Sequence, residues 1–506
     1  VASSWEQVFA DLRSEMRECT LLQTVADTLE WDERTGMPSG GGEYRAEQVA
    51  LLRGMVHARR TQPRIGEWLE QLSEWDLAQD PHTEIGATVQ RMREDYARES
   101  RLPQRLVEEL AVATVRGQQT WEEARHNDRF DQFLPSLQSI VSLKREAAAC
   151  LATEGQSHYD ALLQEYEPGA TCRQLRPLFA ELRDDLVGLI RDIQGALRQP
   201  DLGLLKRHYA VDGQRRLSRF AAGRIGFDFR RGRLDETTHP FCTSLGPSDC
   251  RILTRYDAHW FPAGFFGTLH EAGHGMYDQG LRSDWYGLPP GSFVSLGIHE
   301  SQSRMWENLV GRSRAFWEFF FPHAVHEFPE SLADVTLDQW HFALNAVQPS
   351  LIRVEADEAT YNLHIIVRFE LEQALIDGEL LPQDLPTAWD ERYQEVLGIR
   401  PPNQREGVLQ DVHWSAGLIG YFPTYTLGNL YAAQLYEAAE RALPDLAASF
   451  RHGQFTPLLD WLREKVHRVG RCWSADRIVE RASGRLPQSA PLIEGLRARY
   501  SQLYGF

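Results

Sequence analysis

Apolar residues recur at steps of three and four from the start of the chain. In SWEQVFADLRSEMRECTLLQTVADTLEWD they are Trp5, Val8, Phe9, Leu12, Met16, Leu22, Val25 and Leu29. On an α-helix that spacing stacks side chains on one face, so the segment reads as amphipathic helix. QLRPLFAELRDDLVGLIRDIQGAL repeats the pattern through Leu178, Leu182, Leu186, Leu189, Ile193 and Leu197. Such stripes must be buried against other helices. Most of the chain reads this way. The exception runs from Gly226 to about Tyr256, where the helical period gives way to short alternating runs (Phe227 and Phe229; Ile252, Thr254 and Tyr256) punctuated by Gly, Pro and Asp. A small antiparallel sheet is predicted there. Helical periodicity returns around His270, stops at the loop SDWYGLPPGSF and resumes in GIHESQSRMWENLVGRS. No repeat, low-complexity tract or Gly/Ser linker divides the chain. The expected architecture is one mainly α unit over residues 1–506, its helical N-terminal part covering about 1–205 and the sheet and candidate site falling in about 206–506.

Composition narrows the classes. With 42% hydrophobic and 25% charged residues, a chain of 506 residues can bury a large core. A net charge of −18 argues against a nucleic-acid binder or a polybasic membrane anchor, both of which need Lys and Arg in excess. No apolar run is long enough to span a bilayer, and the first residues lack the basic-then-apolar pattern of a secretory signal. The cysteines Cys19, Cys150, Cys172, Cys242, Cys250 and Cys472 are sparse and show no CxxC spacing, so free thiols in a reducing cytoplasm are expected. Cys242 and Cys250 flank a probable turn and are placed to approach each other.

The segment GTLHEAGHGMYDQGL carries the chemistry. His270 and His274, four apart, project from one face of a helix, and Glu271 sits one step round. In this H-E-x-x-H arrangement two imidazoles bind zinc and the glutamate serves as general base. A catalytic site needs a third protein ligand and an open position. GIHESQSRMWEN offers His299 and Glu300 on the next helix, of which Glu300 is preferred. Gly267, Gly273 and Gly275 crowd the same stretch. Glycine costs a helix about 1 kcal/mol relative to alanine, so close backbone approach at a site is the better reason for them.

Beyond this motif, six ordered blocks make the chain resemble the carboxypeptidase Taq family of metallocarboxypeptidases. They are LEWDERTGMPSGGGEYRAEQVALL near the start, HPF from His239, DCRILTRY from Asp249, HESQ from His299, IRVEAD from Ile352 and GVLQDVHW from Gly407. Leu253 stands where the family pattern has threonine. The resemblance implies a large, two-lobed helical peptidase with a deep central groove, similar to neurolysin and angiotensin-converting enzyme. It implies stepwise removal of C-terminal residues with broad tolerance, zinc or cobalt as metal, and a homodimer. By motif position His270, His274 and Glu300 are the ligands and Glu271 the base.

The remaining blocks supply candidates for that chemistry. Arginine pairs with a carboxylate through its planar fork, which makes Arg353 the first candidate for a peptide's α-carboxylate and Arg251 the second. His413, Tyr421 and Tyr425 are candidate donors to an oxyanion. Asp278 and Asp357 are candidates to orient a ligating histidine. The family pattern suggests that His239 closes the far end of the groove, and the strand at RILTRY is expected to offer its edge to an extended peptide. The competing readings are an oligoendopeptidase or dipeptidyl carboxypeptidase on the same scaffold, or a non-catalytic helical protein with a structural metal.

Overall fold

A computed structural model describes residues 4–506. Helices dominate it, as the periodicity requires. The first runs Trp5–Glu33, capped by Ser4 Oγ accepting the Gln7 N–H, and buries Val8, Leu12, Met16 and Cys19. The expected stripe does not continue to its end, because Trp5 and Val25 are exposed. The Cys172–Gly195 helix buries Leu175, Phe179, Leu182, Leu186, Leu189 and Ile193. Leu197 lies beyond that helix and is fully exposed.

The buried apolar residues form two clusters. The smaller joins the Trp5–Glu33, Pro63–Ser73 and Glu84–Glu99 helices through Leu12, Met16, Leu69, Leu72, Val89 and Met92. The larger takes in nearly everything after residue 124. Under the start of the Phe261–Gly280 helix it is aromatic: Phe265 meets Trp317 at 5.2 Å between ring centroids, and Phe261 meets Trp340 at 5.1 Å. Leu288, in the loop that follows this helix, belongs to the small cluster. The loop therefore ties the two bodies of core together beside the cleft described below. No helix among the described residues is long and apolar enough to cross a membrane.

The sheet consists of β1 (Gly232–Glu236), β2 (Phe241–Ser244) and β3 (Cys250–Thr254), in the order β1-β3-β2. It is mixed, which corrects the expectation of a purely antiparallel sheet. β2 runs antiparallel to β3, with Cys242 opposite Ile252, while β1 runs parallel to β3, with Gly232 opposite Cys250. Alternation encodes which face a side chain takes and not the direction of the partner strand. β3 lies in the middle, so both its edges are paired and neither is open to a peptide. That corrects the expectation for RILTRY and leaves β2 as an outer strand.

Gly273 sets the distance between the Phe261–Gly280 helix and the Leu296–Arg304 helix. A Cβ there would fall 2.6 Å from the Gln302 carbonyl oxygen and from Ser303 Cα, both backbone atoms. Gly275 instead makes room for the Phe227 ring, 2.6 Å from its would-be Cβ. Gly267 is less constrained, meeting the Thr254 hydroxyl at 3.1 Å. Gly273→Ala is expected to destabilise the protein by about 1–3 kcal/mol, the usual cost of overpacking a tight interior. Denaturant unfolding of the two proteins checks this.

Candidate metal centre

Three side chains from two helices converge. One ligand atom from each of His270, His274 and Glu300 lies within 4.8 Å of the others. Glu300 Oε2 is 3.7 Å from His270 Nε2 and 3.4 Å from His274 Nε2. Four-residue spacing aligns the histidines, and the Gly273 contact brings Glu300 to them. Behind Glu300 packs the Pro423–Ala442 helix, where a Cβ on Gly428 would fall 2.5 Å from Glu300 Cγ.

Hydrogen bonds at the far side of each ring fix the histidine tautomers. His270 Nδ1 is 2.8 Å from Glu307 Oε2, so it carries the proton and Nε2 presents its lone pair. His274 Nδ1 is 3.1 Å from the His299 carbonyl and 2.6 Å from His299 Nδ1. Only one proton fits between two Nδ1 atoms. With it on His274, His299 accepts at Nδ1 and donates from Nε2 to Asp278 Oδ1 at 3.1 Å. This chain leaves both Nε2 lone pairs aimed at Glu300. His299 faces Asp278 and His274, so it is a support to the cluster while Glu300 completes it. Asp278 reaches His274 only through His299. Asp357 does neither, since it accepts the backbone N–H groups of Gln348, Ala359 and Thr360.

Charge agrees with this arrangement. Burial opposes ionising Glu300, yet Arg304 (Nε to Oε1 at 2.6 Å) and the imidazoles outweigh it and hold the carboxyl well below its usual range. Burial likewise opposes a charged His270, but Glu300 and Glu307 prevail and raise it to about 9, so at neutral pH without an ion Nε2 also carries a proton, which a cation between Nε2 and Glu300 would displace. Burial, with His299 adding to it, lowers His274 to about 4. Burial raises Glu271 to about 7, close to the range suited to a general base at neutrality. A two-imidazole, one-carboxylate set with orienting partners and carboxylates that favour positive charge fits a divalent cation.

The cluster opens on a cleft of about 630 Å³. The first helix contributes Thr20, Gln23, Thr24 and Asp27 to one wall, and β2 contributes Phe241 to Ser244. Glu271, Tyr421 and Tyr425 also line it. His413 lies one layer back. Its Nε2 is 3.3 Å from the Tyr425 hydroxyl, and burial together with the neighbouring Arg353 lowers it to about 3, so the ring is neutral.

Arg353 is also one layer back. It sits in a short 3₁₀ turn, buried, with Nε and Nη2 donating to Asp411 Oδ1 at 2.9 and 2.8 Å and Nη1 to the Tyr361 hydroxyl at 3.1 Å. Its guanidinium lies 5.1 Å from the centre of the Tyr425 ring. Arg251 pairs with Asp249 at 2.8 Å and covers the Trp31 ring at 4.1 Å. His239 is exposed between β1 and β2, and its neighbours Pro240 and Phe241 face the cleft instead.

A family model described as carboxypeptidase Taq (M32) metallopeptidase matches residues 11–500. The chain belongs to the carboxypeptidase Taq family of metallopeptidases. It is 49% identical to thermostable carboxypeptidase 1 of Thermus thermophilus, covering 99% of each chain, and 36% identical to carboxypeptidase 1 of Bacillus subtilis over 99% of each. The crystal structure of an M32 carboxypeptidase from Deinococcus radiodurans superposes with a TM-score of 0.95 at 41% identity, covering 99% of this chain and 100% of that one. The protein is a metal-dependent carboxypeptidase, a peptide hydrolase, and the two competing readings are not favoured.

Several residues that support this carboxypeptidase's centre escape the H-E-x-x-H pattern. Arg304 and Glu307 continue the Glu300 helix, and Met305–Val310 winds as a π-helix, a turn often found at functional sites. Arg304 lies 4.2 Å over the Tyr361 ring while bonding Glu300 and Glu307. Asp411 takes both Arg353 and Arg368. Glu372, fully buried, accepts from Tyr159 (2.7 Å), Trp414 Nε1 (2.9 Å) and the Gly420 N–H (3.0 Å), which pins the loop between His413 and Tyr421. The signal for Glu307 was its position seven residues after Glu300, on the same face of a helix. Glu307→Gln is expected to weaken metal retention about 10–100-fold, as loss of a charged outer partner does. Competition with a chelator measures it.

Proposed function

We propose that the enzyme releases C-terminal amino acids one at a time from peptides of varied sequence, with zinc at His270, His274 and Glu300 and with cobalt able to replace it. The observation that carries this reading is that the three-ligand cluster and Glu271 open on one cleft. A divalent ion held there supplies Lewis-acid chemistry, polarising a carbonyl and acidifying a water. Glu271 takes the water's proton and returns it to the leaving amine. Tyr421 and Tyr425 present hydroxyls to the developing oxyanion, and His413 orients Tyr425.

In the same proposal Arg353 recognises the α-carboxylate. It stands directly behind Tyr425, so a turn of that ring would expose the fork. The outer strand β2 pairs with the extended substrate through main-chain groups, which gives affinity without sequence preference. Arg251 stiffens the sheet through Trp31. We place the enzyme in the cytoplasm as a homodimer. Leu21 and Val25 on the Trp5–Glu33 helix and Leu51 and Met55 on the Gly42–Arg60 helix are exposed apolar side chains that suit a subunit contact.

Metal analysis paired with a peptide assay tests the mechanism. Glu271→Gln should keep a full metal complement while losing about 10²–10⁴ of the turnover rate. Parallel loss of metal and activity would show that Glu271 only builds the site. Arg353→Ala should retain metal, cleave a blocked tripeptide far more slowly than the wild type, and approach the poor rate expected of the wild type on the C-terminal amide. Wild-type rates on the free acid would remove Arg353 from recognition.

A further inference from the structure

Beside the His270 centre the cleft wall holds a second cluster with ligating chemistry. Cys242 on β2, Cys250 on β3 and Asp278 on the Phe261–Gly280 helix each offer one ligand atom within 4.8 Å of the others. The two Sγ atoms are 3.7 Å apart, and both cysteines are free thiols. Two sulfurs bound at about 2.3 Å in tetrahedral geometry stand about 3.8 Å from each other. The thiols therefore already have the separation a zinc-like ion imposes.

The fold explains why they meet. Cys250 opposes Ser244 and Cys242 opposes Ile252, so the cysteines are diagonal partners across the β2–β3 pair. Their side chains share one face, and the helix carrying Asp278 packs against it. Cys250 Sγ is also 3.8 Å from the Gly275 carbonyl of that helix. Asp278 bonds His299 through Oδ1 and keeps a second oxygen for a ligand. Cys242 and Asp278 line the cleft, so an ion can reach the group from solvent.

We propose that Cys242, Cys250 and Asp278 form a second cation site, sharing no ligand with the His270 cluster but joined to it through Asp278 and His299, that takes a thiophilic divalent ion such as zinc, cadmium or cobalt. Binding exchanges two S–H protons, released to water, for two metal–sulfur bonds. No oxidant takes part. The site has three protein ligands and an open position toward the cleft. The mechanism proposed above uses neither thiol, so this inference stands apart from that reading.

The test is a titration of the one-metal holoenzyme with Cd2+ and, separately, Co2+, thiols kept reduced. Bound metal and the ultraviolet thiolate-to-metal charge-transfer band are followed together. The wild type should bind a second equivalent and develop the band. Cys242→Ser and Cys250→Ser should each retain the first equivalent, lose most of the band and lose the second equivalent. Cys250 is buried, so Cys242→Ser, altering a cleft-wall residue, decides the matter if the other variant folds poorly. The proposal fails if the wild type stops at one equivalent, if the second binds without the band, or if it persists unchanged in Cys242→Ser. The band reports sulfur alone, so a misassigned His270 centre, seen as a missing first equivalent, is a distinguishable result.

Discussion

The backbone contact at Gly273 is the constraint on which the centre depends. Two histidines four apart can face one point, but a third ligand must come from another element, held at ligand distance through rigid packing. Glycine at 273 lets the Leu296–Arg304 helix approach until only hydrogen atoms separate the two backbones, and Gly428 removes the side chain that would otherwise displace Glu300. The Gly273 contact is backbone to backbone, while the one at Gly428 is against the Glu300 side chain, so helix packing sets where the three candidate ligands stand. A preorganised set loses little free energy to rearrangement on binding.

Around that contact the protein gathers buried charge that would be costly if left unpaired. Arg304 bridges Glu300 and Glu307, Glu307 holds His270, and Asp278 holds His299, which in turn holds His274. A second network, Arg353 and Arg368 on Asp411, lies behind the tyrosines of the cleft. Each network is closed, with cation and anion in hydrogen-bond contact, and that is why a strongly acidic chain can bury so many ionised groups around one cleft. The tyrosines are the layer between the second network and the cleft.

The periodicity that marked the first helix also predicted a longer buried stripe than forms. Val25 is apolar and correctly spaced, yet it faces solvent because the small core ends before it. Strand direction was likewise illegible: β1 and β3 alternate as any strands do, and their parallel pairing follows from where the chain crosses the sheet. Arg353 shows the same limit in the site. Its residue type marked it as a partner for a carboxylate, but the carboxylate it contacts belongs to Asp411, fifty-eight positions away.

What the sequence determined by itself was local. Helical period, the four-residue spacing of His270 and His274 and the glycines of that segment point to the class of fold and the kind of centre, because each is a relation between residues a turn or two apart. What only the tertiary structure decided was which distant groups meet: Glu307 with His270, Gly428 with Glu300, Cys242 with Cys250, and β2 as the strand on the cleft. Those encounters depend on how helices and strands pack in three dimensions, and packing is a property of the assembled chain that no local spacing encodes.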